Sequence, residues 1–245
     1  MFKNAEKIKT IGAGVRRIYF FAVLALQILA YPIIIFNVGE FNDQIYYALI
    51  ISCFLTSLVF LRKDAHALLQ CGALLFTCLA DNCLILGNGT RLAGMWFFLT
   101  VQLFYAARTL LLATSKTERI INASIRVCLS AFMPLIAYMV LGDGAELLFI
   151  ISLIYYVNLL VSIVFSFLHF RGNELLAIGL TLFACCDLFI GLNEVIKIFS
   201  IPKDSLFYQF VHPPFAIEAS FYCPSQVLLS LSTQKNSIFV KNSQS

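Results

Sequence analysis

Long apolar runs alternate with short polar breaks along the chain, and the run lengths predict helices that cross a bilayer. About 20 apolar residues, rising 1.5 Å each, match a hydrocarbon core roughly 30 Å thick. Eight runs fit: residues 18–36, 44–61, 65–87, 92–113, 120–141, 147–167, 175–199 and 207–231. The first is too long for a signal-peptide core and lacks a small-residue cleavage site, so it reads as a retained helix. The breaks are short and carry turn residues, as at Gly87-Asn88-Gly89-Thr90 and Gly142-Asp143-Gly144, where Gly and Asn accept the backbone of a tight reversal. The predicted architecture is all-α, a polytopic membrane bundle of eight helices over residues 18–231. A basic lead (1–17) precedes it and a polar tail (232–245) follows.

Composition agrees with this pattern and narrows it. Hydrophobic residues make up 60% of the chain and charged residues 12%, against about 45–50% and 25% in soluble domains. A transmembrane β-barrel would need alternating segments of about 10 residues, and none is present. The eight cysteines fall inside apolar runs without zinc-site or disulfide-framework spacing, so they read as small packing residues. A net charge of +4 does not point to nucleic acid, because the basic residues collect at helix ends.

Those basic residues report sidedness. The lead, the Arg62/Lys63 turn, the Lys116/Arg119 loop, Arg171 and the tail lysines fall on one side, and only Arg91, Lys197 and Lys203 on the other. By the positive-inside rule both termini are expected in the cytoplasm. Arg108 and Arg126 lie within a few turns of the basic loop and are expected to snorkel to that interface.

Two acids break the apolar pattern. Asp81 sits in GALLFTCLADNCLILGN (72–88) and Asp187 in IGLTLFACCDLFIGLN (178–193). A lone intramembrane Asp is costly unless paired or protonated, which makes it a functional candidate by default. On the expected topology both helices run outward, with Asp81 about 10 Å and Asp187 about 10–18 Å below the outer boundary, so one layer can hold both. A four-plus-four internal repeat would account for the correspondence.

Further polar side chains at membrane depth are Asn82, Gln102, Tyr105, Tyr155, Tyr156, Asn158, Glu194, Glu218, Tyr222 and Gln226. Glu218, Tyr222 and Gln226, spaced i, i+4, i+8, share one helix face that should look into the bundle. For Asn158 or Gln27 alone, helix-to-helix hydrogen bonding is the plainer reading. The glycosylation triplets at Asn88 and Asn122 read as accidental from their expected positions. No nucleotide-binding glycine loop, His-rich metal cluster or Gly-x-Ser-x-Gly elbow occurs.

Four patches carry a resemblance: Leu79-Ala80-Asp81-Asn82, Gln102 with Tyr105, GLTLFACCD ending on Cys186-Asp187, and Tyr222 with Gln226. In these the chain resembles the lysoplasmalogenase-like, or YhhN-type, membrane proteins, which have eight helices. It departs from their pattern with Gln102 where His is common, Cys186 in place of Ser, and Pro224 inside the last motif. The resemblance implies hydrolysis of the vinyl ether bond of a lysoplasmalogen, a lysophospholipid-like substrate, without metal or organic cofactor. Asp81 and Asp187 would then be the acid/base pair. Asn82, Gln102, Tyr105, Asn158, Glu218, Tyr222 and Gln226 would line the substrate and water site. The same buried acids would also serve a non-enzymatic transporter or lipid-binding protein, and a family member that has lost the chemistry would keep them. Oligomeric state and the identity of the membrane stay open at this level.

Overall fold

Nine α-helices and no strand make up the described residues: α1 (Phe2–Ile35), α2 (Asn42–Val59), α3 (Ala65–Leu84), α4 (Arg91–Leu112), α5 (Lys116–Leu141), α6 (Leu147–Leu168), α7 (Glu174–Ile198), α8 (Leu206–Val211) and α9 (Ile217–Leu231). The computed structural model describes residues 2–36, 42–61, 63–142 and 146–233, with side chains for all of these except 2–17 and 20. Arg62, Asp143, Gly144 and the tail from residue 234 onward, which were named above from the sequence, lie outside the described residues. The backbone of α1 is helical from Phe2, so the basic lead and the first apolar run form one helix.

Among the described residues five helices, α3 to α7, are long and apolar enough to cross a membrane, and the chain is a membrane protein. The apolar part of α1 (Phe21–Ile35) is shorter. α9, with 15 residues, spans about 22 Å, less than a hydrocarbon core. The run expected as one helix over 207–231 is broken: Pro213-Pro214 separates α8 from α9. A proline has no N–H to donate and pushes the residue before it out of the helical region, so two in succession end the helix. The Ala216 amide, freed by the break, donates to the Ile35 carbonyl at 2.8 Å and ties the start of α9 to the end of α1.

Polar caps set the starts of four helices, α8 among them, where the Ser205 side chain accepts from the Tyr208 amide. The side chains of Asp64, Thr90 and Ser115 accept from the backbone amides of Ala67, Ala93 and Glu118, opening α3, α4 and α5. Each satisfies an amide that has no partner within the helix. The two most extensive helix interfaces are α3 on α4 and α7 on α9. A glycine sits in each: a Cβ at Gly72 would come within 2.6 Å of the Phe104 ring, and one at Gly179 within 2.9 Å of Leu229. Small residues let membrane helices approach closely, where dispersion contacts hold them.

Pro224 lies inside α9 without breaking it. The carbonyl it strands, that of Ser220 four residues back, accepts instead from the Tyr31 hydroxyl at 2.7 Å. Tyr222 and Gln226 therefore keep the shared inward face that their spacing predicts, and both are buried.

Arg108 and Arg126 do not snorkel. Both are buried. Arg108 donates to the Gln70 side chain and to the Ser232 hydroxyl at 2.7 Å. Arg126 donates to Asn122, the Asn158 carbonyl, Thr109 and Ser162 at 2.8–3.0 Å. A guanidinium facing hydrocarbon would lack these acceptors, and each lies on a neighbouring turn or helix within its reach.

Candidate functional site

The two acids meet at one cavity. Asp81 lies in the last turn of α3 and Asp187 in the middle of α7. Both line a space of about 570 Å³ together with Tyr46, Met95, Phe98, Phe149, Ser152, Cys186 and Tyr222. That volume falls within the range that holds drug-sized or single-chain lipid ligands. Further lining residues Arg91, Leu141, Glu146, Glu194, Ile198 and Glu218 come from the ends or starts of helices. The cavity thus runs from that end of the bundle inward to the carboxyls, with charged groups at its rim and apolar walls between.

Each carboxyl accepts from a tyrosine on another helix. The Tyr222 hydroxyl donates to Asp81 Oδ2 at 2.6 Å, and the Tyr155 hydroxyl donates to Asp187 Oδ2. Phe183 packs between the two tyrosines, its ring centroid 5.5 Å from Tyr222 and 6.5 Å from Tyr155. Phe98 closes the cluster against Phe183 and Tyr155. Tyr46 meets Tyr222 edge-on at 5.7 Å. Rings locked in this way hold the phenol hydroxyls, and through them the carboxyls, in fixed orientations.

Of the residues predicted for the site, Asp81, Asp187, Glu218 and Tyr222 line the cavity, whereas Asn82, Gln102, Tyr105, Asn158 and Gln226 do not. Asn82 accepts from the Asn88 side chain and backbone and so closes the turn between α3 and α4. Asn158 donates to Ser130 and to the Ile154 carbonyl and takes part in the Arg126 network, bonding α5 to α6. Gln27 similarly joins α1 to α2 through the Leu49 carbonyl and Ser52. Gln102, Tyr105 and Gln226 are fully buried behind the cavity wall. Asn122 is buried as well, which removes it as a glycan acceptor. Tyr46, Arg91, Glu146 and Ser152 join the lining although the sequence assigned none of them to the site. Only Tyr46 carries a signal there, as a hydroxyl on an apolar helix one turn from its start.

The family model of the YhhN family matches residues 43–233. The chain belongs to the YhhN family. The match takes in α2 through α9 and leaves the whole of α1 outside. All four patches that carried the resemblance fall within it. A search of curated proteins and one of solved structures each returned no match.

In this YhhN member the departures fall unevenly on the site. Cys186 lines the cavity next to Asp187, so the thiol takes the place where the resemblance led one to expect a hydroxyl. Gln102 stands behind the wall, and Pro224 leaves the Tyr222 bond to Asp81 intact.

Proposed function

We propose that this protein hydrolyses the vinyl ether bond of a lysoplasmalogen, with Asp81 and Asp187 as the acid/base pair. The single observation behind this reading is that two carboxyls on different helices, Asp81 buried and Asp187 partly buried, line the same apolar-walled cavity. A vinyl ether resists hydroxide. It opens when an acid protonates the β-carbon of the double bond, leaving an oxocarbenium ion that water attacks. One carboxyl delivers that proton, and the other, ionised, offsets the positive charge and takes a proton from the water. The resulting hemiacetal collapses to a fatty aldehyde and a glycerophospho-base, so one water is consumed for each ether bond broken. Two carboxyls sharing a site in unlike protonation states are a recurrent way to hold acid and base side by side.

The tyrosines fix the carboxyl orientations, the walls formed by Met95, Phe98, Phe149 and Ile190 take the alkenyl chain, and Arg91 with the rim glutamates meets the polar end of the substrate. No metal or organic cofactor enters this scheme. In the matching topology the bundle crosses the membrane eight times with both termini cytoplasmic, and the cavity opens toward the opposite side. Gln102 lies outside the cavity lining, so its difference from a family histidine removes no group from the wall.

The test is aldehyde release from a lysoplasmalogen by the purified protein, alongside Asp81→Asn and Asp187→Asn. Each variant should lose at least about 100-fold in turnover, the scale of an acid or base role. Full activity in both would overturn the pairing. Absence of cleavage by the unmodified protein would favour a lipid-binding or transport role for the same cavity.

A further inference from the structure

Behind the carboxyls, α3, α4 and α9 bury a second polar group of residues that the reaction scheme does not use. Gln70 Nε2, both amide atoms of Gln102, Arg108 Nε and Gln226 Oε1 have no hydrogen-bond partner in the protein. Gln70, Gln102, Arg108 and Gln226 are each no more than 2% exposed. The Tyr105 hydroxyl lies among them, close to Gln70 and Arg108. On α4, Gln102, Tyr105 and Arg108 recur every three residues, which stacks them on one face with a rise of about 4.5 Å between neighbours.

Both ends of this stack are pinned. At one end Tyr222 on α9 donates to Asp81. At the other, about 15 Å further along α9, Ser232 accepts from Arg108, which also donates to Gln70. Gln226 lies between those anchors on the inward face of α9. The lower anchor sits near the start of α3, where His66 lies close to Arg108 and is only half buried.

A buried polar atom without a partner costs about 1–3 kcal/mol. Five of them would offset much of the total stability of a typical domain. The mixture of types decides what satisfies them. Gln70 Nε2, Gln102 Nε2 and Arg108 Nε are donors, and Gln102 Oε1 and Gln226 Oε1 are acceptors. An anion would answer only the first group and a cation only the second. Water answers both, and buried waters typically make about three bonds to such groups.

We propose that Gln70, Gln102, Tyr105, Arg108 and Gln226 hold a line of water molecules joining the Asp81–Tyr222 pair to the end of the bundle where α3 begins and α9 ends. The line is a route for water and protons separate from the lipid cavity. Such a route has a use in the proposed hydrolysis, on which this part of the inference rests: an alkenyl chain filling the apolar cavity shuts out water from that side, while the reaction consumes one.

X-ray radiolytic labelling of the purified full-length protein, read by mass spectrometry, tests the water line without reference to activity. Hydroxyl radicals born from bound water oxidise the side chains beside it. Tyr105, although buried, should be labelled about fivefold or more faster than equally buried Phe183, after correction for intrinsic reactivity, because bound water adjoins only the first. Gln102→Leu should bring Tyr105 down to the Phe183 level, and Gln226→Met should act in the same direction if the leucine variant fails to fold. Equal labelling of Tyr105 and Phe183 in the unmodified protein overturns the water line. In the aldehyde assay, Gln102→Leu should lower turnover about tenfold with KM unchanged. Loss of labelling with full turnover would overturn the route while leaving the waters. If the unmodified protein cleaves no lysoplasmalogen, the proposed reaction fails and the labelling result stands by itself.

Discussion

Tyr155 and Tyr222 are the residues through which the fold reaches its two acids. Each hydroxyl donates to one Asp, and Phe183 wedges between their rings. Tyr155→Phe and Tyr222→Phe should each fold normally and reduce turnover, by about tenfold for the ionised carboxyl's partner and less for the other, since a hydrogen bond contributes about 1.5–3 kcal/mol to a charged group and about 0.5–1.5 kcal/mol to a neutral one. Turnover and thermal midpoint measured on the same preparations would separate that effect from loss of structure. A scheme with one protonated and one ionised carboxyl also requires a bell-shaped dependence of kcat/KM on pH. A profile that is flat across the acid-to-neutral range would overturn it. The sequence marked both acids because charge in an apolar run stands out. It did not separate Tyr222, which touches an acid, from Tyr105, which lies outside the cavity lining, because both are tyrosines on inward faces.

Two features of helix packing can be tested at the level of elements. Gly72 brings α3 against Phe104 of α4, so Gly72→Leu should destabilise the bundle by about 1–3 kcal/mol through overpacking, read as a lower thermal midpoint in detergent. Pro224 and Tyr31 form a coupled pair: the hydroxyl of one satisfies the carbonyl stranded by the other. Tyr31→Phe should cost about 1 kcal/mol in the native background and clearly less beside Pro224→Ala, which restores an amide donor to that carbonyl. Equal costs in both backgrounds would show that the Tyr31 hydroxyl does not compensate for Pro224. Neither pairing was legible in the sequence, because Tyr31 and Ser220 are distant along the chain and a proline inside an apolar run predicts a kink without naming what repairs it. Run lengths did predict most helices well. They failed at Pro213-Pro214, where overall hydropathy masked a break that two missing amides enforce.

For the whole molecule, the proposed eight crossings place both termini in the cytoplasm. Reporters active only there, fused to either end in turn, should both give signal; signal from one end alone would require an odd number of crossings. Arg126 ties α4, α5 and α6 together through neutral acceptors. Arg126→Ala, which strands several buried partners, should lower stability by about 1–3 kcal/mol, measured as a shift in detergent unfolding, with no change in which substrate is cleaved.

By itself the sequence determined that this is an all-helical membrane protein with two acids set in apolar helices, and four short patches pointed to its family. Run length, charge placement and composition act locally along the chain, so they are readable without the fold. Only the tertiary structure decided which polar groups share a space with Asp81 and Asp187 and which lie behind the wall. Helical spacing tells which residues face inward but not what they face. That depends on how the helices approach one another: α3 meets α4 closely at Gly72 and α7 meets α9 closely at Gly179, contacts that no pattern within a single run records.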